Sequence, residues 1–306
     1  MSQPPVRSFT LLVNPHAGGS ATAAAVAVAG GLRARGARVE VIHSSGPAAA
    51  RDLAVRAVAQ GDVVAAVGGD GMVASLVGTL VDHAGNGGVL GLVPAGRGND
   101  FARMVGVRGE VEDLVDRLLS AEPRAVDVIT LSGAGRDQVV AGSVYAGADA
   151  HAAAMVARMR RVPKPLQYPL AALRAIATYR PNRYRVVVDG AVHEGVAATV
   201  VVANSAYYGA GMKVAPNALI DDGLLEVVIV GAGSRVELAT AFPKIYDGSH
   251  VGHPKVTVLR GAVVELSAYA GREVPVGGDG EDLGTLPEVG GEPLRIGVRP
   301  RSLKVL

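Results

Sequence analysis

Two kinds of pattern alternate along the first third of the chain. Short β-branched apolar runs at 9–13, 39–43, 63–67 and 89–93 read as buried strands, and between them 21–35, 47–59 and 72–83 have the length and composition of helices. Pro47 suits the first turn of its helix. Strand and helix alternating through connections this short predict a parallel sheet covered on both faces, with ligands at the carboxyl ends of the strands. From about Val126 the pattern changes. Strands at 185–188, 192–203, 224–230, 256–259, 262–267 and 293–298 follow without regular helices between them, and Asp189-Gly190 marks a tight hairpin between the first two. Two helical stretches, 151–162 and 170–179, interrupt the series; the prolines at 163, 165 and 169 are expected to keep them apart. The predicted fold class is an α/β N-terminal domain over 1–127 and a mainly antiparallel, β-rich domain over 128–298.

Composition narrows the chemistry. At 306 residues, 49% of them apolar, the chain can bury the cores of two domains. It has no cysteine, which removes disulfides, zinc–thiolate sites and thiol nucleophiles together. A net charge of +2 gives no argument for nucleic acid. No apolar run reaches the length of about eighteen residues that spans a bilayer, and 1–10 lacks the apolar stretch of a signal peptide, so a cytoplasmic location is expected. The seven histidines show no metal-ligand spacing and read as surface or loop residues.

Three strands of the first domain end in unusual loops. Asn14-Pro15-His16-Ala17-Gly18-Gly19 follows the first strand, Gly68-Gly69-Asp70-Gly71 the third, and Pro94-Ala95-Gly96-Arg97-Gly98-Asn99-Asp100-Phe101-Ala102-Arg103 the fourth. Glycines there let backbone amides approach a polyphosphate, and a following helix N-terminus adds a favourable dipole. Gly69-Asp70-Gly71-Met72-Val73-Ala74 also satisfies the dinucleotide pattern G-x-G-x-x-A, but the next strand ends at Val93-Pro94-Ala95 without the carboxylate that would hold a ribose. An aspartate within the loop repels a pyrophosphate unless a divalent cation intervenes. Asp70 therefore favours a metal–nucleotide ligand.

These loops, with Asn204, Tyr208-Gly209-Ala210-Gly211-Met212, Ala215-Pro216-Asn217-Ala218, Asp221-Asp222-Gly223-Leu224-Leu225-Glu226 and Asp279-Gly280-Glu281, resemble the diacylglycerol and sphingosine kinase family over almost the whole chain. The resemblance implies a two-domain kinase: a nucleotide site on the first domain, a β-sandwich second domain, a catalytic cleft between them, and a final segment, 299–306, returning to the first. It implies ATP as phosphate donor with Mg²⁺, and a lipid alcohol as acceptor at an anionic membrane surface, reached by peripheral association; a homodimer is allowed.

Roles follow from what phosphoryl transfer needs: a held triphosphate, a carboxylate to take the hydroxyl proton, and positive charge near the transferring group. The loop residues Asn14, Pro15, Gly18, Gly68, Gly69, Gly71, Gly96, Arg97, Gly98 and Asn99 are assigned to the nucleotide and Asp70 to its metal. Asp279 matches the family's base with Glu281 beside it, on the same face if the segment is extended; without the family match the same residues read as a hairpin turn. Asp100 and Arg103 are spaced to pair on one helical face, and Asn99 or Asp100 also reads as an N-cap. Asp127 matches a further network aspartate. Asp222, in a segment that otherwise reads as a turn, matches the ligand of a structural magnesium. Arg158, Arg160, Arg161 and Lys164 lie in a basic stretch poor in acids, which reads either as a solvated face or as a membrane-docking surface. Family members usually carry threonine where this chain has Met72 and Arg97, an Asn/Glu pair where it has Ala74 and Ser75, and lysine near Gly19. Arg97 is the expected substitute phosphate clamp. A kinase of the same scaffold for a soluble hydroxyl compound and a non-catalytic lipid- or nucleotide-binding protein are the alternatives.

Overall fold

The computed structural model describes residues 7–14, 19–96, 98–150, 152, 164–178 and 180–306. Two compact units emerge, Met1–Val126 with Arg301–Leu306, and Asp127–Pro300.

In the first unit β1 (Ser8–Val13), β2 (Arg38–His43), β3 (Val63–Gly68) and β4 (Leu90–Pro94) alternate with α1 (Gly19–Ala34), α2 (Pro47–Ala59) and α3 (Asp70–Asp82). The strands pair in parallel in the order β2-β1-β3-β4. Central β3 is buried at every position, which is why its sequence VVAAVG is apolar throughout rather than alternating. Because β1 leads to β2 on one side and borders β3 on the other, the connectivity reverses between β1 and β3, and their carboxyl ends flank the place where such sheets bind ligands. Two short helices follow β4, α4 (Asp100–Met104) and α5 (Val111–Ser120). The sequence pattern had not marked α5, although Glu110 and Asp113 form its capping box. It packs on α1 so closely that a Cβ on Gly31 would fall 2.8 Å from Val115 Cγ2. The last residues add to the β4 edge: Val305 lies parallel to Leu90, and the Leu306 N–H donates to the Leu90 carbonyl at 2.9 Å.

The second unit is built from β5 (Arg124–Gly133), β6 (Arg136–Val140), β7 (Ser143–Gly147), β8 (Asn182–Val188), β9 (Ala191–Ala203), β10 (Leu225–Gly231), β11 (Val256–Gly261), β12 (Val263–Ala268), β13 (Pro275–Gly278), β14 (Glu281–Thr285) and the start of β15 (Leu294–Val305). Its strands pair antiparallel in the order β14-β13-β7-β9-β8-β12-β15, and β10 pairs with both β9 and β11. β9 organises the unit. Its first half is mostly exposed beside β8, whereas its last seven residues are buried, and 199–203 pair with β7 on one side and β10 on the other. The Asp189-Gly190 hairpin forms with both residues left-handed, φ 45° and 87°, the geometry a two-residue turn of matching twist requires.

The helix expected at 170–179 starts earlier. α6 spans Lys164–Thr178 and takes Pro165 and Pro169 into its amino-terminal part. Pro165 stands in the first turn, where its missing N–H has no intrahelical partner to lose, and Pro169 forfeits a single bond close to the same end. α6 buries Ala171 and Ala175 and exposes Leu170 and Leu173. Most of the other helical stretch, 151–162, lies outside the described residues. His250 departs from the expected surface position: it is buried, its Nε2 3.0 Å from the Val214 carbonyl. Among the described residues no helix is long and apolar enough to cross a membrane.

Candidate functional site

The first unit gathers its site residues where β1, β3 and β4 end. Asn14 follows β1, its N–H reaching the Val67 carbonyl at 3.4 Å. Gly68 closes β3 and Gly69 follows it, and Ala95, after β4, donates to the Gly68 carbonyl at 2.9 Å. Gly96 then lies against Gly69 backbone to backbone. A Cβ on Gly96 would stand 2.3 Å from Gly69 Cα, so no other residue fits without moving the loop. Asn99, left-handed at φ 52°, clamps the same turn through both ends of its amide: Oδ1 accepts from the Gly96 N–H at 3.0 Å and Nδ2 donates to the Gly96 carbonyl at 3.2 Å.

Asn99 stands at the N-cap position of α4 but its side chain does not cap it. Asp70, the first residue of α3, supplies the acceptor instead, taking the Phe101 N–H at 3.0 Å. The capping carboxylate thus comes from 31 residues away and ties the second loop to the third. Asp100 is buried, and Arg103 reaches both its carboxylate at 2.5 Å and the Gly98 carbonyl at 3.2 Å. A concave space lined by Gly68, Gly69, Asp70, Pro94 and Asn99 opens here. Pro15, Gly18 and Arg97 lie outside the described residues. Met72 is buried, so the side chain standing at a usual threonine position packs in the core of this unit. At Gly19 a side chain would meet open space.

In the second unit one hydrogen-bond network joins most of the remaining motifs. Asp279, left-handed at φ 47° between Gly278 and Gly280, accepts from the N–H groups of Ala141 at 2.7 Å, Gly142 at 3.0 Å and Ser143 at 2.9 Å. A Cβ on Gly142 would fall 2.9 Å from the Asp279 carboxylate. Asn204, fully buried, donates its amide N–H groups to the carbonyls of Ala141 at 3.1 Å and Asp127 at 2.9 Å. Asp127, also fully buried, accepts the Gly223 N–H at 2.7 Å. Asp127, Asn204, the 221–223 turn and Asp279 are therefore successive links of one chain of bonds. Residues 208–212 adjoin it through Tyr208, whose ring stacks on Tyr145 at 5.2 Å.

One expectation needs correction here. Glu281 does not share an extended segment with Asp279: Asp279 and Gly280, at φ 47° and 89°, make the turn, and Glu281 opens β14 in an exposed position opposite Gly278. The alternation of side chains applies only to extended backbone. Asp222 pairs with Arg260 and accepts the Leu224 N–H at 3.0 Å. Among the described residues no group of three or more His, Asp or Glu side chains is placed to hold a metal ion. The expected magnesium site takes one carboxylate with neighbouring carbonyls, and no chemical step is routed through it.

Three residues escaped the sequence reading. Tyr145 bears no motif, Asn204 carried a motif position without a role, and Asp149 lies in a cluster with Thr199, which donates to it at 3.0 Å, and Tyr208. Burial pushes the Asp149 carboxyl above the usual carboxylate range, with Thr199 and Tyr208 opposing.

Comparison with known proteins agrees with this two-part layout. The diacylglycerol kinase catalytic domain matches residues 8–131, and the YegS C-terminal NAD kinase beta sandwich-like domain matches residues 142–306. A Mycobacterium tuberculosis protein named diacylglycerol kinase is 33% identical over 305 residues, covering 97% of this chain and 96% of its own. One from Staphylococcus haemolyticus is 24% identical over 226 residues, 74% of this chain and 67% of its own. The solved structure of a Bacillus anthracis diacylglycerol kinase has the same fold, with a TM-score of 0.72 over 99% of this chain and 97% of its own, at 18% identity. The chain belongs to the diacylglycerol kinase family of phosphotransferases, whose acceptor is an alcohol.

Proposed function

We propose that this protein is an ATP-dependent lipid kinase that phosphorylates the free hydroxyl of diacylglycerol or a related lipid alcohol. The observation that carries the proposal is the pressed contact of Gly96 on Gly69, a surface of bare backbone beside Asp70, in a chain 33% identical to a diacylglycerol kinase over almost its full length. Magnesium–ATP is the substrate of the first unit, its phosphates facing the loops at 68–71 and 94–99, and Arg97 is the cationic group beside them. Asp279 takes the acceptor hydroxyl's proton. Three amides orient its carboxylate, Ala141 and Ser143 each donating to one oxygen and Gly142 to both. Little basicity is demanded, because phosphoryl transfer passes through a loose transition state in which positioning outweighs proton removal.

The acceptor lies in a bilayer, and the basic stretch with Arg158, Arg160, Arg161 and Lys164 is the docking surface, with Leu170 and Leu173 exposed on α6 beyond it. The test is transfer of labelled phosphate from ATP to a panel of lipids in mixed micelles, run beside soluble polyols and dinucleotides without lipid. Labelling of diacylglycerol alone or most strongly supports the proposal. Labelling only of a soluble acceptor, or of nothing, overturns it.

A further inference from the structure

Asp279 opens the two-residue left-handed turn that joins β13 to β14, at φ 47° with Gly280 at 89°. The amides of 141–143 fix its carboxylate. What fixes the peptide that follows is Tyr145. Its hydroxyl accepts the Gly280 N–H at 3.1 Å. Tyr145 sits on β7 directly opposite Gly277 of β13, and a Cβ on Gly277 would fall 2.4 Å from Tyr145 Cε2. The missing side chain lets the ring lie across β13 and reach the turn three residues further on. The ring is itself buried, 2% exposed, and backed by Tyr208 at 5.2 Å with planes 23° apart. Two glycines thus make room for the two side chains that define the turn, Gly142 for the Asp279 carboxylate and Gly277 for the Tyr145 ring.

We propose that Tyr145 is a positioning residue for the transfer reaction: through the Gly280 N–H it holds the Asp279-Gly280 peptide so that the carboxylate faces the acceptor hydroxyl, with Tyr208 stacked behind to keep the phenol in place. This rests on the role given to Asp279 above. The contribution of Tyr145 is geometric, and a misplaced proton acceptor slows turnover without weakening ATP.

The experiment uses the full chain with Tyr145→Phe, which keeps the ring and its packing and deletes the one acceptor atom. Amide hydrogen exchange at Gly280 is expected to quicken at least about tenfold, and kcat to fall by about tenfold, while KM for ATP and the thermal midpoint stay close to the parent's. A purely structural tyrosine would instead move the midpoint and leave kcat of the folded fraction intact. Tyr208→Leu should lower kcat in the same direction by less. Asp279→Asn, run alongside, separates the two ideas. If Asp279→Asn is inactive but Tyr145→Phe matches the parent in kcat and in Gly280 protection, the positioning role alone is overturned. If Asp279→Asn turns over like the parent, the proton-acceptor role fails and the role of Tyr145 goes with it.

Discussion

The two units build their sites from opposite materials. In the first, the working surface is backbone: Gly68, Gly69 and Gly96 bring no side chain to it, and the side chains nearby are occupied in holding the loops, Asn99 within the third and Asp70 between the second and the third. In the second, a single carboxylate projects from a hairpin turn, and the amides of 141–143 hold it. A site made of backbone tolerates changed side chains, provided the glycines remain. The departures at Met72 and Gly19 illustrate this, since Met72 turns into the core and Gly19 faces open space. A site made of one side chain has no such tolerance.

The largest effect is therefore expected at Asp279. Asp279→Asn should lower turnover by about 10²–10⁴-fold while ATP affinity stays near the parent's, measured by titration on the folded variant. ATP affinity falling in parallel would break the division of labour between the units. Reversal of Arg158, Arg160 and Arg161 to Glu comes next. At roughly 1 kcal/mol per basic residue near an anionic surface, co-sedimentation with phosphatidylserine vesicles should drop by about a hundredfold at low salt and the difference should fade as salt rises. Unchanged vesicle binding would leave the stretch a solvated face. Gly96→Ala follows in size. The added methyl meets backbone that cannot turn aside, so ATP should bind about tenfold more weakly and the loop be strained by about 1–3 kcal/mol. Wild-type ATP affinity in this variant would show that the pressed loops are not the nucleotide surface.

Much of the fold could be read from the sequence because its signals are local. Apolar runs of strand length, Pro47 at a helix start and Asp189-Gly190 at a hairpin each act within a few residues, and the parallel and antiparallel halves follow from them. What escaped depends on distance or on side chains of ordinary kind. α5 was legible in principle from the spacing of Glu110, Asp113, Leu114, Val115 and Leu118. Pro169 misled because its cost depends on where the helix begins, which tertiary packing decides. Asp70 capping α4 and Tyr145 holding the Gly280 amide join residues 31 and 135 positions apart, and no short pattern records such pairs. Glu281 was misplaced because the alternation rule assumes extended backbone where Asp279 and Gly280 turn.

The smallest effect concerns a residue that the sequence reading had put on the surface. His250 is buried, and burial holds its imidazole below the ordinary value of 6.5. The carbonyls of Val214 and Lys244 and the carboxylates of Asp149 and Asp247 pull the other way without overcoming it. The folded state then keeps the ring neutral where the unfolded chain would protonate it. As pH falls through 6.5 the unfolded state takes up a proton that the folded state refuses, so stability drops, and the loss levels off only once the lower folded value is passed. His250→Gln places an amide nitrogen within reach of the Val214 carbonyl and removes the titration. Between pH 7.5 and 5.5 the parent's thermal midpoint should fall more than the variant's, by on the order of 2 °C. Asp149, raised by burial, acts in the opposite sense, since acid relieves its buried charge; His250 lowers it, so removing the histidine raises Asp149 further and the difference between the two proteins keeps its sign. Parallel curves for parent and variant would mean that His250 is protonated as readily in the folded protein as outside it, and that the second unit opens around this cluster.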